Sequence, residues 1–141
     1  MQFYVSYILF QKLVVIKYYE LGQALNYGSQ LARRFNHTDI ADNWFNSMNN
    51  VRTAINNNLW NGSMGMFKDN DTDAGTLLYP QDGNSLAVLY NVTGDDRSKI
   101  ISSNLRQRWN EFGAVSPEGL DAISPFISGL ELSAHIKAGK Y

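Results

Sequence analysis

With 141 residues and 44% apolar content, the chain is long enough to form one domain with its own hydrophobic core. With a formal charge of −1 and no cluster of Lys or Arg beyond Arg33–Arg34, the chain offers no basic face for a phosphate backbone, and we expect no nucleic-acid partner. The chain has no cysteine, which excludes disulfides, a thiol nucleophile and cysteine-ligated metals.

The chain opens with an apolar segment, residues 1–17, of sequence MQFYVSYILFQKLVVIK. It has neither a positive leader before the apolar run nor a small-residue cleavage site, so it is a poor signal peptide. It is also shorter than the roughly 20 apolar residues of a membrane span, and we expect no membrane partner. A short helix completing a neighbouring helical hairpin, or a wrongly assigned gene start, explains it equally well.

Two helices are predicted next, joined by a tight turn that contains His37. In the first, small and apolar residues recur at three- and four-residue spacing, a pattern typical of an inner helix that a neighbour approaches closely. Thr38 is predicted to cap the second, which carries apolar residues from Ile40 to Leu59 on one face and stops at Asn61–Gly62. The small and apolar residues that form this inner stripe of the first helix are Leu21, Ala24, Leu25, Gly28, Leu31, Ala32 and Phe35.

After a loop of about twenty residues, Asp82 is predicted to cap a short third helix from Ser85 to Tyr90. This helix is apolar all round, so we expect it to be buried. Asp95–Asp96 then open a fourth helix, and Ser124–Pro125 form the N-cap and first turn of a fifth, which ends at Gly139.

The fourth helix carries Ile101, Leu105 and Trp109 at four-residue spacing, with Arg106 and Arg108 directed outward. No segment of the chain sustains the alternation of a β-strand. Buried and amphipathic helices therefore alternate, and we expect an all-α chain of about five helices in αα-hairpins.

Two blocks of sequence carry a resemblance to a known family. They are DNDTDAGTLLYPQDGNSLAVLY, from Asp69 to Tyr90, and GAVSPEGLDAISPFISGLELSAH, from Gly113 to His135. Together they resemble the catalytic domain of fungal and bacterial α-L-rhamnosidases, the six-hairpin glycosidases of glycoside hydrolase family 78. The resemblance extends over residues 18–141 and leaves residues 1–17 unmatched.

This resemblance implies a partial (α/α)6 toroid and a parent enzyme that hydrolyses terminal L-rhamnose from glycosides with inversion. The implied partner is a carbohydrate or a rhamnosylated glycoside, and no cofactor is implied. A different six-hairpin glycosidase, amylase-like or trehalase-like, stays open, as does a helical-hairpin module that binds protein. In a fragment of the toroid, the exposed inner face also allows self-association.

No catalytic residue is assigned by this resemblance. The family's general acid lies in an acidic loop followed by Gly-Asp, before the matched region, and its base lies in a Trp-Glu pair beyond it. Here Trp44, Trp60 and Trp109 are followed by Phe, Asn and Asn. We therefore expect this chain to be inactive on its own.

Four residues are candidates for binding substrate. Asp82, Gln81 and Asn84 lie in a turn at a helix N-terminus, where carboxylate, amide and free backbone N–H groups suit sugar hydroxyls. The alternative is an ordinary N-cap. Glu131 lies mid-helix among apolar residues, where burial raises the pKa of a carboxyl as a general acid requires. The alternative is a structural group bonded to a neighbouring helix or to His135.

Asp69, Asp71 and Asp73 match the first three ligand positions of a calcium loop. The sixth position is Ala74 instead of glycine, and the twelfth is Pro80 instead of glutamate. The sequence therefore predicts no metal site.

Among the aromatic residues, Trp44 is predicted to pack between helices, whereas Phe67 is left open between packing and stacking on a sugar ring. His37 is expected to be exposed, with no serine or acid beside it to support a hydrolase triad.

Four N-glycosylation sequons fall in predicted loops or helix ends, which favours a secreted or extracellular parent protein. They begin at Asn36, Asn61, Asn70 and Asn91.

Overall fold

The computed structural model describes residues 2–72 and 77–139, and for residues 2–14 it describes the backbone alone. In this part the chain is mostly helical, in agreement with the predicted all-α class. The helices are α1 Gln2–Arg34, α2 Thr38–Asn58, α3 Gln81–Leu89, α4 Asp95–Arg106 and α5 Pro125–Lys137, and the strands are β1 Trp60–Asn61, β2 Met66–Phe67, β3 Trp109–Asn110 and β4 Gly113–Ala114.

The first helix differs from its prediction in extent and in orientation. It runs without a break from Gln2, so it includes most of the apolar opening segment. Its predicted inner stripe is largely exposed, with Leu31 56% and Phe35 67% accessible, while Val15 and Tyr19 are buried. The stripe was read correctly as a helix face, but α2 covers only part of it, where the ring of Trp44 lies against Gly28.

The second helix begins and ends differently from its prediction. Its N-cap is His37, with no side-chain capping bond, and Thr38 is its first helical residue. It ends at Asn58 because Trp60 and Asn61 leave the helix to pair with Phe67 and Met66 in a two-stranded antiparallel ribbon. A second ribbon of the same kind pairs β3 with β4.

The third helix begins four residues earlier than predicted, at Gln81, with Pro80 as its N-cap. Asp82 therefore lies inside the first turn and is not the cap. Pro80 has φ −67° and ψ 148°, the extended geometry of an N-cap residue, and so the helix can start directly after it. As predicted, α3 is buried over most of its length.

The starts of the last two helices are confirmed. Asp95 and Asp96 occupy the first turn of α4, where carboxylates favour the positive end of the helix dipole. Ser124 caps α5 by accepting a hydrogen bond from the N–H of Ile127, and Pro125 follows it. Helix α5 ends at Lys137, and Gly139 takes a positive φ of 73° just beyond it.

Contacts between α1, α3 and α5 give their relative directions. The first half of α3 lies against α1 at Gly83 and Val15, while the Nε2 of Gln23, further along α1, donates to the carbonyl of Tyr90 at 3.1 Å. Helix α3 therefore runs in the same direction as α1. Helix α5 also runs that way, because Glu131 bonds the start of α3 and Lys137 bonds the carbonyl of Leu89 at its end.

The hydrophobic core lies around α3. It is built from residues of every helix and of β2, and Ala87 and Ile101 in it are fully buried. Among the described helices, none is long and apolar enough to span a membrane.

Candidate functional site

A cluster of polar side chains lies where the N-terminal end of α3 meets α5 and the segment between α4 and α5. We call it the polar cluster. Several of its members are ionisable groups with little solvent exposure, and such groups stay in a fold only when they are paired or hydrogen-bonded. The members are Gln81, Asp82, Arg108, Trp109, Glu118, Glu131 and His135.

Glu118, in a 3-10 turn at Pro117–Gly119, caps α3 from a distance of 37 positions in the sequence. Its two carboxylate oxygens accept the N–H groups of Gln81 at 2.9 Å and Asp82 at 3.1 Å. The backbone donors that the sequence suggested for sugar hydroxyls are therefore bonded to the protein itself.

The same contacts set the ionisation of Glu118. Burial alone raises the pKa of this carboxyl, but hydrogen bonds from the backbone N–H groups of Gln81, Glu118 and Asp82 and from the Ser116 hydroxyl outweigh burial. The net result is a pKa below the ordinary value for glutamate, so Glu118 is a carboxylate at neutral pH.

Glu131 is 1% exposed and accepts three hydrogen bonds. Gln81 donates from Nε2 at 2.6 Å, the Trp109 indole N–H donates at 2.5 Å, and Nε2 of His135 lies at 3.0 Å. Both structural partners expected for Glu131 are thus present, a neighbouring helix and His135 one turn later. The carboxylate fixes α5 against α3 and β3.

His135 extends this network to α4. Its Nδ1 lies 2.6 Å from the Ser102 hydroxyl, so a neutral ring protonated on Nε2 donates to Glu131 and accepts from Ser102. A hydrogen-bonded chain from serine to histidine to glutamate would suit nucleophilic hydrolysis if the serine were accessible. Ser102 is 1% exposed, so no substrate reaches its oxygen and the array is structural.

Asp82 is the most accessible of the four predicted binding residues, although only 8% of its surface is exposed. One carboxylate oxygen accepts the N–H of Gly83 at 2.6 Å. Its charge also acts on the buried phenol of Tyr19, whose pKa is raised first by burial and then by the Asp82 carboxylate. Within the described part of the chain, the Tyr19 hydroxyl has no hydrogen-bond partner.

Asn84 joins α3 to the β1–β2 ribbon. Its amide oxygen accepts the N–H of Phe67 at 2.8 Å, and its Nδ2 donates to the carbonyls of Phe67 and Pro80. The side chain is fully buried, so its bonds hold the loop before α3 in place.

Arg108 was predicted to point outward, and this is wrong. Helix α4 ends at Arg106, which places Arg108 in the following turn, where it donates to the Tyr79 carbonyl at 2.6 Å and to the sulfur of Met66 at 3.2 Å. Burial lowers the pKa of its guanidinium, and the carboxylates of Glu118 and Glu131 partly offset that effect.

Trp109 forms the accessible edge of the polar cluster. This residue is 36% exposed, and the Arg106 guanidinium lies 4.1 Å from the centre of its ring. The four-residue spacing had placed Trp109 on the core face of α4, whereas it is the first residue of β3. Trp109 is the member of the cluster that a ligand would meet first.

The acids of the loop before α3 do not assemble into a metal site in the described residues. Asp69 is buried and its Oδ2 accepts from the Nδ2 of Asn70 at 3.0 Å. Asp73 lies outside the described residues, as does Ala74. Elsewhere in the described part, no group of three or more histidine, aspartate or glutamate side chains is close enough to hold a metal ion.

A cleft of about 220 Å³ lies between α1, α2 and this loop, away from the polar cluster. Its lining combines apolar side chains with two amides and one carboxylate. The lining residues are Tyr18, Val51, Ala54, Ile55, Asn58, Leu59, Asn70 and Asp71.

Trp44 and Phe67 both make packing contacts. Trp44 packs on Gly28, as expected for a residue between two helices. Phe67 is 1% exposed with its ring 5.0 Å from that of Trp60 in an edge-on contact, so it is a packing residue. His37 is exposed, as predicted.

Sequence reasoning missed Glu118 and Trp109 as members of the site. Glu118 follows Ser116–Pro117 and reads as the start of a helix, so nothing local indicated a partner 37 residues away. Trp109 fitted a helical period, and only the end of α4 at Arg106 removes it from that face. The asparagine and glycine residues after Trp109 were the one available signal of a turn.

Comparison of the sequence with family models and with curated proteins gives no match.

Proposed function

We propose that this chain is a sector of an α-L-rhamnosidase-like glycoside hydrolase, and that its polar cluster lines the sugar site of that enzyme. The observation that carries the proposal is the 2.6 Å hydrogen bond from Gln81 to Glu131. It joins the two blocks of sequence on which the resemblance rests, PQDGNSLAVL and SPFISGLELSAH, although they lie 50 residues apart. Residues that meet in one site are the residues that a shared function would constrain together.

The arrangement we propose is a part of an (α/α)6 toroid, in which α1–α2 and α3–α4 are αα-hairpins and α5 begins a third. Two observations support it. Helices α1, α3 and α5 run in the same direction, as inner helices of such a toroid do, and α3 packs against both of the others. In addition, α5 exposes Leu132 and Ile136 on the side away from its buried Ala134, where a further helix would pack.

In this proposal the described residues bind and position the sugar and do not perform the chemistry. An inverting glycosidase needs an acid and a base about 6.5–9.5 Å apart with a water between them. Glu118 and Glu131 are buried and each is bonded to two or more donors of the protein itself, so we assign both a structural role and not that of a base that activates water. Asp82 contacts the sugar, Gln81 and Glu131 fix the start of α3, and Asn84 holds the preceding loop.

Binding of L-rhamnose tests this assignment. We expect the indole resonance of Trp109 and the amide resonances of Gln81 and Asp82 to shift in ¹⁵N-labelled protein on titration with L-rhamnose. D-rhamnose, its mirror image, has the same polarity and size and should leave them in place. Asp82→Asn should abolish the difference, and Asp96→Asn, an exposed acid at the start of α4, should preserve it.

Equal shifts with both enantiomers, or the same response in Asp82→Asn, would refute the sugar site. D-glucose is the probe for the other six-hairpin glycosidases. If D-glucose shifts these resonances and L-rhamnose does not, the glycosides of another six-hairpin enzyme are the next class of ligand to titrate.

A protein-interaction module is the second candidate function, favoured by the same exposed α5 face. The two candidates differ in what this face implies. An interaction module stays monomeric and folded until its partner is added, whereas a sector of a toroid associates with itself through the open apolar surface. Sedimentation equilibrium over a range of concentrations distinguishes a stable monomer from an associating chain.

A further inference from the structure

The four glycosylation sequons are placed in two different ways by the fold. A glycan is attached to the side-chain nitrogen Nδ2 of asparagine and is bulky and hydrophilic, so in the folded protein this nitrogen must face solvent. The sequons are Asn36-His37-Thr38, Asn61-Gly62-Ser63, Asn70-Asp71-Thr72 and Asn91-Val92-Thr93.

Asn36 and Asn91 occupy equivalent positions at the ends of α1 and α3. Each is exposed and has the left-handed backbone conformation, with φ of 61° and 54°. Each donates its backbone N–H to the carbonyl of the residue three positions earlier in the helix. The next residue, His37 or Val92, donates to the carbonyl five residues back at 2.9 Å. This pair of bonds is the Schellman motif, which puts the asparagine side chain outside the helix end.

The side chains of Asn36 and Asn91 make no hydrogen bond to any described residue. Asparagine tolerates the left-handed conformation, which explains the residue type but not the threonine two positions later. Thr93 is buried and its hydroxyl has no partner in the described part of the chain. A buried hydroxyl without a protein partner destabilises the fold and valine would avoid the cost, so the described contacts give no structural reason for threonine at this position. A sequon requires it.

The other two asparagines are used by the fold. Asn70 is 4% exposed, its Nδ2 donates to Asp69, and its Oδ1 accepts the N–H of Thr72 at 2.9 Å. The Nδ2 of Asn61 donates to the Tyr79 hydroxyl at 2.8 Å. Its Oδ1 accepts the N–H groups of Ser63 and Met64. Such turns account for asparagine at both positions without a glycan.

We propose that Asn36 and Asn91 are N-glycan attachment sites and that Asn61 and Asn70 are not. Attachment forms a bond between Nδ2 and the anomeric carbon of the first sugar and releases one amide proton. The bond broken joins that carbon to the pyrophosphate oxygen of a lipid-linked oligosaccharide donor. Because α1 and α3 run in the same direction, both glycans lie at the opposite end of these helices from the polar cluster and leave it open.

The test is a map of glycan occupancy on the full chain, produced behind a cleavable leader in a eukaryotic secretory host. The soluble, unaggregated protein is deglycosylated enzymatically in ¹⁸O water, which marks each formerly glycosylated asparagine as ¹⁸O-aspartate for peptide mass spectrometry. We expect the mark at Asn36 and Asn91 in most molecules and at Asn61 and Asn70 in few. Occupancy of Asn70 or Asn61 equal to that of Asn36, or no mark at Asn36 and Asn91, would overturn the proposal.

Thr93→Val gives an independent readout. It should remove one glycan from the secreted protein while leaving the melting temperature of the unglycosylated protein, made in a bacterial host, unchanged or higher. The matched variant Thr72→Val should leave the glycan count unchanged, because Asn70 carries none, and should lower the melting temperature, since Thr72 bonds Asn70. A lower melting temperature for Thr93→Val would mean that the hydroxyl serves the fold, against the proposal.

Discussion

Glu118 shows how one side chain can decide where a helix begins. The N–H groups of Gln81, Asp82 and Gly83 have no carbonyl partner inside helix α3, and the proline before it offers no side-chain acceptor. The carboxylate of Glu118 satisfies two of them and places a negative charge at the positive end of the helix dipole. The start of α3, and with it Gln81 and Asp82, therefore depends on a residue in another segment of the chain.

We predict that Glu118→Gln lowers the free energy of unfolding by about 1.5–3 kcal/mol at neutral pH, the range for hydrogen bonds to a charged group. Because the folded pKa of Glu118 lies below the unfolded value, its stabilisation is complete above about pH 4.3 and is lost as the pH falls through the folded pKa. The variant should therefore lose less stability on acidification than the unsubstituted protein. Urea unfolding followed by tryptophan fluorescence at a series of pH values measures both effects.

The matched control is Glu111→Gln, which changes the same charge at an exposed position between β3 and β4. It should alter the free energy of unfolding by less than about 0.5 kcal/mol, as is usual for surface substitutions. If both variants show the acid dependence of the unsubstituted protein, Glu118 does not cap α3 through its charge.

At this scale the sequence predicted some side-chain roles and not others. Glu131 was recognised as buried because its neighbours on α5 are apolar, and its bond to His135 followed from the four-residue spacing. The partners of Glu118 and the indole bond of Trp109 join segments far apart in the chain, and no local pattern encodes such pairings. Residue type and helical period report on near neighbours only.

Among the elements, the pairing of α1 with α2 depends on glycine at one point. A side chain at Gly28 would place its Cβ 2.8 Å from the ring of Trp44, which is closer than atoms can pack. Gly22, six positions earlier in the same helix, has nothing within 4 Å of such a Cβ. Both glycines lie in α1, but α2 approaches the helix closely at Gly28 and not at Gly22.

We predict opposite effects of alanine at these glycines. Gly22→Ala should raise the free energy of unfolding by up to about 1 kcal/mol, because alanine is the better helix former. Gly28→Ala should not gain this stability. Its free energy of unfolding should lie at least about 1 kcal/mol below that of Gly22→Ala, because Trp44 must move. Thermal unfolding of the two variants gives the comparison, and equal stabilisation by both would show that α2 does not pack closely at Gly28.

The elements also show which part of the fold could be predicted. The starts of α4 and α5 followed from Asp95–Asp96 and Ser124–Pro125, since capping is local chemistry. The end of α2 and the start of α3 could not be predicted in this way. The β1–β2 ribbon ends α2, and Glu118 helps to start α3. The apolar stripe of α1 identified a face of the helix but not that most of this face is exposed, with α2 meeting it at Gly28.

For the whole molecule, the open surface of α5 predicts association. This helix buries Ala134 on one side and exposes Leu132 and Ile136, one turn apart, on the other. Contiguous exposed apolar residues mark interaction surfaces. We expect the protein to self-associate with increasing concentration and the double variant Leu132→Lys with Ile136→Lys to stay monomeric.

The control carries the same added charge on a polar face, Asn50→Lys with Asn57→Lys on α2, where both asparagines are exposed. It should associate like the unsubstituted protein. Association that persists in the α5 variant, or is lost in the control as well, would remove the α5 face as the contact surface.

The central claim is that this chain is a sector of a larger rhamnosidase-like enzyme. The most direct test is to sequence the transcript and the genomic DNA on both sides of this open reading frame. Our account predicts an acidic loop followed by Gly-Asp upstream and a Trp-Glu pair in frame downstream, supplying the acid and base that an inverting glycosidase requires. Stop codons or unrelated sequence on both sides would contradict it.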